Sequence, residues 1–155
     1  MAKEEHRTIK SEVVVPYELA VGPTWSKFFD GLKEERILGT KCNKCNRVFV
    51  PPRAFCPRCF VDTKEWVEVG QEGTVENWVL VDYAYYGQML KIPFITAQIR
   101  LDGSGTGFLH QIGGLDLSDL DKVRERVKIG GRVKAVWSKE KHGDIFDIAY
   151  FELVK

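Results

Sequence analysis

The stretch Cys42-Asn43-Lys44-Cys45, followed after ten residues by Cys56-Pro57-Arg58-Cys59, decides how this chain is read. A Cys-x-x-Cys turn aims two thiolates at one point, and two such turns supply the four soft ligands that tetrahedral zinc prefers. These are all the cysteines of the 155-residue chain. Their spacing predicts a four-cysteine zinc ribbon with Cys42, Cys45, Cys56 and Cys59 as ligands. Rubredoxin iron uses similar knuckles, which keeps iron as the alternative metal. Catalytic zinc keeps one position open to water, and four thiolates leave none. The Zn²⁺ site is therefore expected to be structural, bracing a segment with too few apolar residues to fold alone. A thioredoxin-like redox role would need one such turn at a helix start after a strand, and the duplication argues against it.

The region around the cysteines is cationic. Lys41, Lys44, Arg47, Arg53 and Arg58 fall within residues 41–58 without an acidic residue. Zinc held by four thiolates carries a formal double negative charge, which such cations balance; phosphate binding is the other use for them. The whole chain has a net charge of only +1, against the strongly basic surface expected of a nucleic-acid binder. A charged fraction of 29% and an apolar fraction of 44% describe a soluble globular chain. No apolar run is long enough to span a bilayer, and residues 1–10 lack the apolar core of a signal peptide. The expected setting is cytoplasmic and reducing, with no membrane partner, where paired cysteine turns favour metal over disulfides.

Upstream of the ribbon, residues 1–22 mix charge with the β-branched run Val13-Val14-Val15 and predict an extended N-terminal arm that packs on its own domain or a partner. Residues 23–35 place Trp25, Phe28, Phe29 and Leu32 at helical spacing, with Thr24 or Pro23 marking the start. That stripe either packs on the ribbon or docks a partner through Trp25, Phe28 and Phe29. Residues 36–41 and 47–50 read as strands around the first cysteine turn, and residues 65–69 alternate as a further strand.

Downstream, residues 70–73 read as a hinge. The remainder is mostly β, with candidate strands at 74–82, 94–101, 107–112, 132–138 and 145–153 separated by Gly- and Asp-rich turns. Residues 118–127 break the pattern with Leu120, Val123 and Val127 at helical spacing and Ser118 and Asp121 as a capping pair. Five strands with a short helix between the third and fourth are the element order of an OB-fold barrel. The fold class is thus mainly β, with an arm (1–22), a helix plus zinc ribbon (23–69) and an OB-fold domain (70–155).

Catalytic signals are thin. His6, His110 and His142 are scattered, and His110 reads as a packed or surface strand residue. The loop after the first barrel strand holds Tyr83, Tyr85, Tyr86, Met89, Leu90 and Lys91. It could stack on bases, contact an acyl thioester or partner, or cover the barrel mouth.

Residues 17–22, Ser26-Lys27-Phe28-Phe29-Asp30-Gly31-Leu32, Ile37-Leu38-Gly39-Thr40-Lys41-Cys42 and Phe49-Val50-Pro51-Pro52-Arg53-Ala54-Phe55-Cys56-Pro57-Arg58-Cys59 resemble a known family. It comprises the zinc-ribbon plus OB-fold proteins associated with acyl-CoA metabolism, typically encoded beside thiolases. The resemblance implies an N-terminal helix, a rubredoxin-like ribbon and a C-terminal five-stranded barrel. It also implies a non-catalytic subunit whose thiolase-like partner carries the nucleophilic cysteine, with a CoA thioester shared between the two. Under that reading Arg47, Arg53, Lys44 or Lys91 meets the CoA phosphates, and Tyr85 and Tyr86 stand with them as ligand-binding candidates. Two other readings stay open: an OB-fold module for single-stranded nucleic acid, and a free-standing acyl-CoA-binding protein.

Overall fold

The computed structural model describes residues 8, 9, 15–85, 87, 88 and 90–154. Most of the expected arm, including Val13 and Val14, lies outside them; residues 15–20 are exposed and carry no regular structure.

The aromatic stripe forms α1 (Gly22–Lys33), with Pro23 in the first turn, where a missing N–H leaves no helical bond unmade. Val21 occupies the N-cap position without a side-chain bond, so Thr24 lies inside the helix and does not cap it. At the other end Arg36 N donates to Gly31 O at 2.9 Å and Glu35 N to Leu32 O at 3.0 Å, with Glu35 at a φ of 60°. This is a Schellman closure, and it turns the chain directly into the ribbon.

The ribbon consists of β1 (Leu38–Lys41), β2 (Val48–Phe49), β3 (Phe55–Cys56), β4 (Val61–Asp62) and β5 (Glu65–Glu68). The antiparallel sheet runs β2-β1-β5, and β3 pairs with β4 separately. Trp66 on β5 is half-buried, with Lys27 Nζ 4.7 Å from its ring centroid, a cation–π contact between helix and sheet.

Five strands close the barrel: β6 (Glu72–Val81), β7 (Phe94–Leu101), β8 (Gly107–Ile112), β9 (Arg132–Trp137) and β10 (Ile148–Leu153). Around the barrel the order is β10-β8-β7-β6-β9, with β9 and β10 paired to close it; only the β8–β10 pairing is parallel. This is the OB-fold order expected from the sequence. β7 shows why it forms: Ile95, Ala97, Ile99 and Leu101 point inward and are buried, while Thr96, Gln98 and Arg100 alternate outward. Gly73 on β6 lies where a Cβ would come within 2.6 Å of Arg100 O, so the two strands approach each other more closely than a side chain permits.

Two further local expectations are corrected, and one irregularity is added. Residues 145–147 are a single 3₁₀ turn instead of strand, because the buried Asp147 carboxylate accepts from His142 N at 2.7 Å and Gly143 N at 2.9 Å and bends the chain. In β10 a bulge after Ile148 lets Ile148 and Phe151, three residues apart, both face the core. The short helix α2 (Leu120–Arg126) is capped by Asp119, whose carboxylate accepts from Lys122 N at 3.2 Å, and not by Ser118 with Asp121.

The core does not divide at residue 69. Phe28, Leu32, Ile37 and Val50 join Ile95, Ile99, Phe108, Ile148 and Phe151 in one cluster, and the Phe28 ring meets Phe108 edge-on at 6.5 Å. Phe28 is fully buried in that cluster and is not available to a partner, whereas Phe29 is half-buried and Trp25 is 39% exposed. The supposed hinge is likewise tied down. Gly70 N donates to Asp102 O at 2.8 Å, and Arg132 grips the Asp102 carboxylate with both terminal nitrogens while reaching Glu72. That guanidinium holds Asp102 below the usual carboxylate range.

Candidate metal centre

The two cysteine turns fold alike. Asn46 N returns to Cys42 O at 2.9 Å and Phe60 N to Cys56 O at 2.8 Å, and each donor residue has a positive φ, 57° and 53°. The turns converge so that the four sulfurs lie within 4.8 Å of one another, with Cys45 Sγ and Cys56 Sγ 3.8 Å apart. Cys42 and Cys56 are buried, and Cys45 and Cys59 half-buried.

Sulfurs held this close cannot all ionise unaided. Backbone hydrogen bonding, first from Cys45, draws Cys42 down to about 7 against the effect of burial. Burial foremost, then hydrogen bonds among the neighbouring thiols, push Cys59 up to about 12. A divalent cation among them removes the mutual repulsion and lets all four act as ligands. The donor set is all sulfur and occupies every tetrahedral position, which fits structural zinc. The apolar cluster around it is small, consisting of Phe49 and the cysteines with Val61 at its edge.

A hydroxyl pair that the sequence did not announce fixes the loop between the turns. Thr40 Oγ1 donates to Arg53 O and accepts from Arg53 N, both at 2.9 Å, and Thr63 Oγ1 donates to the same carbonyl. Both threonines are buried. Nothing in a Thr beside a cysteine turn marks it for this role; only the folded register brings residues 40, 53 and 63 together.

The other candidate residues do not gather at one place. Arg47 and Arg53 have exposed side chains, with the Arg53 guanidinium 5.8 Å from the Phe49 ring centroid. Arg53 and Trp25 line a concavity of about 560 Å³ between the first turn of α1 and residues 51–55. Tyr85 lines a separate one of about 300 Å³ with Gln88, Leu90, Phe94 and Phe146. Lys91 is exposed at the end of that loop, and Tyr86 lies outside the described residues.

His110 is a core residue. It is 7% exposed, stacks on Phe108 with centroids 5.6 Å apart, and its Nε2 lies 3.3 Å from Ile145 O. Its Nδ1 is buried without a hydrogen-bond partner among the described residues. Burial lowers its pKa from 6.5. Above that value the ring is neutral in both folded and unfolded chains. Below it the unfolded chain takes up the proton first, so stability falls as the pH drops below about 6.5. The wild-type melting midpoint is expected to fall more between pH 7.5 and 5.5 than that of His110→Phe, a comparison in which acid loss of zinc is common to both. Equal falls would show that His110 does not set the slope. Among the described residues no hydrogen bond joins a Ser or Thr hydroxyl to a histidine ring.

Fold and site together define a zinc-ribbon protein with a C-terminal OB-fold barrel. Residues 29–65 match the rubredoxin-like zinc ribbon domain of ChsH2, and residues 66–138 its C-terminal OB-fold domain. The chain belongs to this ChsH2 zinc-ribbon plus OB-fold (DUF35) family. It is 30% identical over 116 residues to a DUF35 domain-containing scaffold protein of Methanocaldococcus jannaschii, covering 74% of this chain and 77% of the relative. A DUF35-family crystal structure of unknown function from Sulfolobus solfataricus superposes with a TM-score of 0.60 at 29% identity, covering 85% and 84% of the two chains. The structure described as Ltp2-ChsH2(DUF35) aldolase gives a TM-score of 0.63 at 18% identity over 88% and 97%, a likeness of fold.

Proposed function

We propose that this chain is the zinc-braced, non-catalytic subunit of a thiolase-type acyl-CoA complex. The observation that carries the reading is the four-sulfur shell: it commits every cysteine of the chain to metal, leaving a thioester nucleophile to be supplied by a partner. Family membership supports it, through a relative named as a scaffold protein and a structure described as an aldolase containing ChsH2. In this reading Trp25 and Phe29 pack on the partner. Arg47 and Arg53 offer charge to the CoA phosphates, and Tyr85, Tyr86 and Lys91 are the residues offered to the acyl group. The barrel loops then help exclude water from the partner's active site. The substrate class we favour is an aromatic-substituted acyl-CoA, as handled by the benzoylsuccinyl-CoA thiolases, and the complex works in the cytoplasm.

The test is co-expression with a neighbouring thiolase-type protein of the same genome, followed by size exclusion and a thiolysis assay. The expected result is a hetero-oligomer whose thiolysis rate collapses when this chain is omitted. A monomeric chain beside a thiolase fully active alone overturns the reading. Binding of acyl-CoA by the isolated chain would instead favour a free-standing carrier.

A further inference from the structure

The two cysteine knuckles share a backbone but not a side chain at its most demanding position. After the second cysteine of each, the chain enters the left-handed region, with Asn46 in one knuckle and Phe60 in the other. Asn tolerates that conformation because its short amide bonds locally; a bulky aromatic gains no such relief. Nor does the Phe60 ring repay the strain by packing. It is 83% exposed, while Phe49 in the same ribbon is 2% exposed. The knuckle sets the backbone at this position, and nothing among the described residues uses the ring it carries.

Two exposed cations of the paired knuckles point to the kind of surface the ring would meet. Lys44 and Arg58 hold the same position in their respective knuckles, immediately before the second cysteine, and both are exposed. Neither forms an ion pair with any described residue. We propose that Phe60 is the anchor by which the ribbon docks on its partner, seating in an apolar pocket rimmed by carboxylates that face Lys44 and Arg58. The partner is the thiolase-type subunit, so this inference rests on the function proposed above.

The experiment uses the full zinc-loaded chain and the co-expressed thiolase-type protein, with affinity, zinc content and melting midpoint measured together. Phe60→Asn is expected to keep its zinc and a midpoint unchanged or raised by about 2 °C, since it relieves the backbone. Its partner affinity is expected to fall by ~30-fold or more, as for a buried aromatic anchor. Phe60→Tyr restores affinity, and Arg58→Glu combined with Lys44→Glu weakens binding and flattens its salt dependence. If the wild-type proteins do not associate, the proposed function itself fails. If they associate and Phe60→Asn binds equally well, the anchor is overturned while that function stands. Loss of zinc or a lowered midpoint in Phe60→Asn would assign the ring to the fold, and an unmoved affinity after charge reversal would overturn the carboxylate rim.

Discussion

Withdrawing the metal with a competing chelator is expected to unfold the cysteine turns and the short strands between them, and to leave the barrel, with α1 packed on it through Phe28, protected. The strands there are too short to hold themselves: β2, β3 and β4 have two residues each, and the apolar cluster beneath them is little more than Phe49 and the cysteines. Structural zinc in such a setting contributes on the order of ten kcal/mol, more than the whole net stability of many domains. Cys56→Ser is expected to have the same effect, because Cys56 is fully buried and its loss opens the shell. Hydrogen exchange read residue by residue is the decisive measurement. Protection of Cys42, Asn46 and Phe60 amides should vanish on metal removal while that of Ile95 to Leu101 survives. Persistent protection around the cysteines would mean that the ribbon stands without metal.

Phe28→Ala is expected to cost about 3–5 kcal/mol, the range for truncating a fully buried aromatic. The effect should be that large because Phe28 belongs at once to the helix and to the barrel core, through its contact with Phe108. Trp25→Ala, one turn earlier and 39% exposed, should cost far less in stability. Denaturant midpoints for the two variants check this directly. Equal losses would mean that α1 is held by its surface and not by its buried ring.

The sequence announced the metal site almost completely, because ligand spacing is a local property and four thiolates at that spacing have few other uses. Strands such as β7 were equally plain, since strict alternation from Ile95 to Leu101 leaves one buried face. The apolar stripe of α1 was visible, but its destination was not: period tells which side of a helix is apolar, never which element lies opposite. Phe28 could be placed in the barrel core only by the fold. The end of the chain was blurred for another reason. The bulge in β10 replaces a two-residue period with three, and the Asp147 carboxylate, bound to two backbone amides, makes a turn where β-branched and aromatic residues suggested a strand. Thr40 and Thr63 escaped notice because a hydroxyl's role depends on what it meets.

One clasp between the two halves has a bearing on the order in which they form. Thr106 Oγ1 accepts from Val50 N at 2.9 Å and donates to Val50 O at 3.0 Å, joining residues separated by 56 positions. The cysteine ligands, by contrast, all lie between residues 42 and 59. Closing the short metal loop carries a small entropic penalty, while the clasp must wait for the β7–β8 connection to exist. The clasp is therefore the longer-range of the two closures, and it ties the segment that follows β2 to a barrel whose own strands hold without it.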